Sequence, residues 1–220
     1  MEAVITIGLL LLGFVFLIKG ADLFVDGASA VAATLRVPTL IIGLTVVAMG
    51  TSLPELSVSV TASMTNSNSL AVSNVVGSNI FNLMVVLGAS AIISAMAVQD
   101  SVLKKDIPFS IAITLFLAVY GYIRGGIDRV GGVILLVIFA AFIFVMIRNA
   151  LRERRDNLSA AEEGDEIKKH PIWLSIIFIV GGVAMIKFGG DWVVDSAVTI
   201  AEWLGISETL IGLTIVALGT

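Results

Sequence analysis

The chain has 220 residues, 58% hydrophobic and only 14% charged, with a mean hydropathy of +1.06 and a formal net charge of −4. A soluble domain carries about 25% charged residues, so this composition cannot cover a water-facing surface, and it offers no basic face for nucleic acid. Cysteine is absent, which excludes disulfides, thiol catalysis and Cys-ligated metals, and the single histidine, His170, lies in a polar stretch and argues against a His-ligated centre.

Apolar runs mark the spans in chain order, since ~30 Å of hydrocarbon at 1.5 Å per residue requires about 20 residues. The first run starts at Ala3 behind Glu2, the only early charge. It lacks the positive flank and cleavage site of a signal peptide, so it reads as a first transmembrane helix over 3–24. Further helices are predicted over 39–64, 69–98, 107–123 and 130–149. A charged segment, Leu151 to His170, follows, then a sixth helix over 171–194 and a seventh from Ser207 to Thr220. The fold class expected is all-α: a polytopic transmembrane helix bundle of the inverted-repeat antiporter type.

The basic residues orient these spans. With the N-terminus outside, the inner side holds Lys19, Arg36, Lys104, Lys105, Arg148, Arg152, Arg154, Arg155, Lys168 and Lys169. The outer side holds only Arg124, Arg129 and Lys187. The positive-inside rule therefore predicts a multi-pass protein of the cell membrane, N-terminus out, with the 151–170 segment cytoplasmic. That segment mixes both charge signs and reads as a solvated connector, with a regulatory site as the alternative.

Residues 20–51 align without a gap on 189–220, identical at fifteen of thirty-two positions. Shared composition explains matching Leu and Val, but not Asp, Gly and Thr in register: Asp22 with Asp191, Asp26 with Asp195, Gly43-Leu44-Thr45 with Gly212-Leu213-Thr214, Gly50-Thr51 with Gly219-Thr220. Five predicted spans separate the copies, so the second is inverted. Inverted repeats are a mark of secondary transporters, whose sites lie near the midplane where broken helices meet. The division expected is 1–149 as a first five-helix repeat, 150–170 as linker and 171–220 as the start of a second repeat.

Between Arg36 and Asp100 the one ionisable residue is Glu55, in Gly50-Thr51-Ser52-Leu53-Pro54-Glu55. A carboxylate at the centre of a span costs roughly 2.5–3.5 kcal/mol even on the mildest scale, so it needs a partner, a cavity or a cation. The bland alternative is a protonated Glu packed against another helix. Pro54 lacks an N–H and clashes with the carbonyl of Gly50, so the helix must open and free carbonyls near Ala48. Thr51 and Ser52 add hydroxyls. Carboxylate, hydroxyl and carbonyl are the ligand set of hard cations; transition metals prefer nitrogen or sulfur. In the next helix Asn74, Ser78 and Asn82 recur every four residues on one face. Ser78 and Asn82 are read as facing Glu55, with interhelical hydrogen bonding as the alternative, and Asn79 as pointing elsewhere and making such an interhelical bond.

These motifs, with Gly43-x-Thr45 and Gly77-Ser78-Asn79-x-x-Asn82, resemble the first α-repeat of the sodium/calcium exchanger family, within the cation/calcium exchanger superfamily. The resemblance implies ten helices in two inverted repeats, with Ca²⁺ and Na⁺ competing at a central site and no resident cofactor. Carried onto matching positions, the binding groups are Glu55, Thr51, Ser52, Ser78, Asn82 and the carbonyl of Ala48, with Ala217 and Thr220 from the second repeat. The family pattern continues with a second Ser-x-Pro-Glu and a second Gly-Ser-Asn helix, and its site pairs two Glu residues. About 14 residues of a seventh helix span only ~21 Å. The expectation is therefore about six complete spans and a partial seventh: the N-terminal portion of a longer exchanger whose C-terminal half completes the site. Coupling to H⁺ or K⁺ on the same fold, or a non-transporting membrane scaffold, stays open. An enzyme is not expected, because no paired Asp, Ser–His or metal constellation lies within the spans.

Overall fold

The computed structural model describes residues 2–35, 37, 39–98, 100, 102–156 and 170–220; among them there is no strand. Helix α1 spans Glu2–Thr34. Helix α2, residues 39–50, is built from Thr39–Ile42, a wide π turn at Gly43–Val47 and Ala48–Gly50. Helix α3 is Leu53–Met64. Helix α4 is Asn68–Ile93, with a π turn at Asn82–Val86. Helix α5 is Val102–Arg124, α6 is Arg129–Asp156 and α7 is Ile172–Leu204. The last, α8, is Glu208–Gly219, with its own π turn at Gly212–Val216. Five stretches are long and apolar enough to cross a membrane: α1, α4, α5, α7 and Arg129–Asn149 of α6. The span expected over 39–64 is instead two half-helices, α2 and α3, divided at Thr51 and Ser52.

Helices α1 and α7 each run about ten residues past their expected ends at 24 and 194. The charges that ended the apolar runs do not end the helices, because Asp26 and Asp195 lie on exposed faces while Gly27, Ala30, Ala197 and Ala201 are buried. At 33 residues, each helix is ~50 Å long, well beyond the hydrocarbon thickness, so each must tilt or project into water. Lys19 and Lys187 consequently sit mid-helix rather than in loops, paired with Asp22 at 3.3 Å and with Asp191 at 2.6 Å. Helix α6 carries the chain to Asp156, into the expected linker. The remaining linker positions, 157–169, lie outside the described residues.

The duplication is as regular in structure as in sequence. Thr39–Ile42, Gly43–Val47 and Ala48–Gly50 recur at the same offset as Glu208–Ile211, Gly212–Val216 and Ala217–Gly219. Each π turn carries a threonine whose hydroxyl donates to the carbonyl four residues back, Thr45 to Ile41 at 2.6 Å and Thr214 to Leu210 at 2.7 Å. A π turn displaces the ordinary i→i−4 ladder, and the hydroxyl gives that carbonyl a donor.

Helices α1 and α7 cross as antiparallel neighbours along a stripe of small residues. Gly13 faces Gly189 and Val193, Gly20 faces Gly182 and Ile186, and Gly27 faces Ser175. A Cβ on Gly20 would come within 2.9 Å of the Gly182 carbonyl oxygen, and one on Gly189 within 2.8 Å of that of Gly13. Small residues let membrane helices approach this closely, which dispersion then rewards. A buried cluster around Leu17, Val58, Leu70, Val193, Ile211 and Val216 joins α1, α3, α4, α7 and α8.

By contact density the chain forms two compact units. One comprises α1 to α3, α4 as far as Gly88, α7 and α8; the other contains the end of α4, α5 and α6. In the second, Phe109 stacks on Phe142 at 4.8 Å, and the connection between α5 and α6 turns at Gly125, whose φ of 71° suits glycine. The packed units thus cut across the division at residue 149, because the second copy of the long helix packs on the first.

Candidate functional site

The break between α2 and α3 sets the site. The Ser52 amide bonds back to the Met49 carbonyl at 3.1 Å, a tight turn, and α3 then starts with Leu53 and Pro54 in its first positions. Proline is tolerated there because a first-turn N–H has no intrahelical partner. Glu55 therefore lies in the first turn of a half-helix, where exposed N–H groups and the helix dipole favour negative charge. Gly50 is buried against Val25 of α1, and a Cβ there would collide with that side chain. The break is thus anchored on α1.

Helix α4 packs across α3. Between them lies a cavity of about 300 Å³. Its α3 wall is Ser52, Glu55, Leu56 and Ser59; its α4 wall is Val75, Ser78, Asn79 and Asn82. The Oε2 atom of Glu55 is buried and has no hydrogen-bond partner among the described residues. Leaving a buried carboxylate oxygen unsatisfied is expensive, so the arrangement suits a group that brings positive charge. The wall supplies a carboxylate, hydroxyls and amide oxygens. That donor set fits a hard cation, although it holds one carboxylate only.

Four of the residues singled out from sequence meet here: Glu55, Ser52, Ser78 and Asn82. The other four do not line this cavity. Thr51 is exposed, and its hydroxyl donates to the carbonyl of Ala48 at 2.9 Å. Ala217 is buried against Gly77, where a Cβ on the glycine would come within 2.7 Å of the Ala217 Cβ. Thr220 donates to Oδ1 of Asn74 at 3.2 Å. The α8 helix thus seats on α4 one turn from Ser78.

Asn79 and Ser59 complete the lining. Asn79, read from sequence as pointing elsewhere, lies about 100° round the helix from Ser78, at the edge of the same face, and its Nδ2 donates to the Val75 carbonyl at 2.8 Å. Ser59 is absent from the residues singled out by sequence, although its place one turn after Glu55, on the same face, is a signal that marks it. The interhelical role falls instead to Asn74, which is fully buried and bonds the Glu55 carbonyl at 3.3 Å and the Ser59 hydroxyl at 3.2 Å.

Comparison with known proteins identifies the family. The model of the family described as "Sodium/calcium exchanger protein" matches residues 5–148 and 174–220. A relative named putative antiporter CaxA, from Alkalimonas amylolytica, is 38% identical over 96% of this chain and 66% of its own length. The sodium/calcium exchanger MaX1 of Methanosarcina acetivorans is 31% identical over 96% of this chain and 70% of its own. Among solved structures, the sodium/calcium exchanger from Methanococcus jannaschii superposes with a TM-score of 0.54 at 33% identity, over 98% of this chain and 67% of that one. The chain spans about two thirds of the length of these relatives. With the family model matching on both sides of the 151–170 segment, and a solved exchanger superposing over 98% of the chain, this chain belongs to the sodium/calcium exchanger protein family, a family of multi-pass membrane transporters and not of enzymes.

Proposed function

We propose that the full-length protein is a secondary active antiporter that exchanges Ca²⁺ for Na⁺ by alternating access, with the cavity between α3 and α4 as half of its cation site. The observation that carries this reading is the buried, unpartnered Oε2 of Glu55 in a wall of hydroxyl and amide groups. A desolvated carboxylate attracts a divalent ion strongly, because Coulomb energy rises as the local dielectric constant falls. Ser52, Ser78 and Asn82 replace part of the hydration shell, and either ion can compete for the same oxygens. Thr51, the Ala48 carbonyl, Ala217 and Thr220 are ligands in this proposal by resemblance. They stand on the segments adjoining the cavity, where a shift of α2 or α8 would carry them. A second carboxylate, from a second Ser-x-Pro-Glu motif in a C-terminal half, would balance the divalent charge. The antiparallel crossing of α1 and α7 supports the inverted-repeat architecture that alternating access uses. Ca²⁺ and Na⁺ are cargo, and no resident cofactor is required. In this proposal the protein lies in the cell membrane with its N-terminus outside, a reading supported by the lysine and arginine bias.

The test is ⁴⁵Ca²⁺ uptake into proteoliposomes driven by an outward Na⁺ gradient, without K⁺ and with the pH gradient collapsed. Uptake by the full-length protein and its loss in Glu55→Gln are expected. Uptake that needs K⁺ or tracks a pH gradient would transfer the coupling to those ions. Unchanged uptake in Glu55→Gln would remove the carboxylate from the site.

A further inference from the structure

We propose that Asn74 is a positioning residue for this cation site, tying the Glu55 segment of the first repeat to Thr220 of the second through one buried carboxamide. The inference rests on the cation-site reading above.

Asn74 is fully buried and uses both ends of its amide. Its orientation is fixed by its partners: a backbone carbonyl can only accept, so the nitrogen must face Glu55, at 3.3 Å. The second N–H reaches the Ser59 hydroxyl at 3.2 Å. These two acceptors sit one turn apart on α3, at the carboxylate-bearing residue and at another residue of the cavity wall. The oxygen end accepts from the Thr220 hydroxyl at 3.2 Å. The three bonds cross two helix interfaces, α4 with α3 and α4 with α8. Ser78, one turn on, donates to the Asn74 carbonyl at 2.9 Å, so a cavity-lining hydroxyl is held by the same residue. Asn74 itself does not line the cavity. Its carboxamide acts through Glu55 and Ser59, as groups behind a metal ligand orient the ligand.

Every side-chain hydroxyl that Asn74 engages has another acceptor. Thr220 also reaches the Val216 carbonyl at 3.2 Å, and Ser59 donates to the Ala71 carbonyl at 3.3 Å. Replacing Asn74 with leucine, of similar size, therefore strands no buried hydroxyl. What it removes is the register between α3, α4 and α8.

The experiment measures Na⁺-gradient-driven ⁴⁵Ca²⁺ uptake by the full-length protein in proteoliposomes against Ca²⁺ concentration, with thermal midpoints in detergent. Asn74→Leu is expected to raise the half-saturating Ca²⁺ about ten-fold at an unchanged maximal rate. Ser73→Ala is the control. Ser73 is also buried on α4, beside Gly212 of α8, but among the described residues its hydroxyl bonds only within its own helix, to the Leu70 carbonyl at 3.1 Å. It should leave half-saturation unchanged. A lowered thermal midpoint or maximal rate with normal half-saturation in Asn74→Leu would assign Asn74 to folding alone and overturn the proposal. If Asn74→Leu does not assemble, Asn74→Ser is judged on the same two quantities. Glu55→Gln is run in parallel: normal uptake there defeats the cation-site reading itself, whereas its loss beside a normal Asn74→Leu curve defeats only the positioning role.

Discussion

Gly182 of α7 rests on the backbone of Gly20 of α1, so closely that a Cβ on Gly182 would lie 2.6 Å from the Gly20 carbonyl oxygen. Backbone atoms cannot rotate away as a side chain can. Gly182→Val should therefore force the two long helices apart, at the upper end of the ~1–3 kcal/mol typical of overpacking. The neighbouring Gly181 has nothing within 4 Å of its would-be Cβ, so Gly181→Ala should be neutral or slightly stabilising. Thermal midpoints of the two variants in detergent check this. Equal midpoints would mean that the α1–α7 stripe is not a tight contact.

Within the site, damage should depend on position as well as chemistry. Ser78→Ala and Asn82→Ala each remove one neutral oxygen from the wall, a loss of ~1 kcal/mol or about five-fold in half-saturating Ca²⁺, and water can replace part of it. Thr51→Val should be milder, since its hydroxyl is engaged with the Ala48 carbonyl outside the cavity lining. Dose curves of ⁴⁵Ca²⁺ uptake order the variants. Thr51→Val proving as severe as Glu55→Gln would show that α2 moves to bring Thr51 into the site.

The 220-residue chain by itself should not exchange Ca²⁺ for Na⁺. The cavity contains one carboxylate, Glu55, and a desolvated divalent ion needs more compensating charge than that. Robust Na⁺-driven uptake by the purified chain in vesicles would require two copies to combine their sites.

Orientation is testable because the chain has no cysteine. A cysteine in place of Ser159 should react with a membrane-impermeant maleimide only from the cytoplasmic side. The basis is the lysine and arginine bias, which survives removal of the mid-helix Lys19 and Lys187 from the count. Labelling in intact cells would invert the orientation of both repeats.

The α5–α6 connection should be sensitive to acid. The Gly131 amide, at 2.9 Å, and the Tyr120 hydroxyl, at 2.6 Å, both donate to Asp128 and hold its carboxyl down at about 2, against an ordinary 3.8. A depressed carboxylate stabilises the fold above its unfolded value and loses that contribution as pH falls towards its folded value. The hairpin should thus be indifferent to pH above about 4 and loosen between about 4 and about 2. Amide exchange at the start of α6 reads this directly, and Asp128→Asn should remove most of the dependence.

The membrane class, most spans and the duplication were legible in the sequence, because hydropathy and register are local properties of the chain. So was the centre of the candidate site: a lone carboxylate beside Pro54 in a charge-free stretch marks itself. Thr51 and Asn79 were not placed by spacing. Helical periodicity assigns a face only within one helix, and the break at Thr51 and Ser52 interrupts it between Thr51 and Glu55. Asn79, about 100° from Ser78, falls at the edge of the face that the four-residue period marks.

By itself, then, the sequence marked Glu55 and its neighbours as candidate ligands and showed that residues 20–51 recur as 189–220. Tertiary packing alone decided that α1 and α7 run about ten residues past their expected ends at 24 and 194, since burial of Ala30 and Ala201 on a neighbouring helix outweighs local polarity. It also decided which of the Asn and Ser residues on α4 face the cavity and that Asn74 joins the two repeats. Those contacts link positions as far apart as Asn74 and Thr220, and no pattern within one helix contains that information.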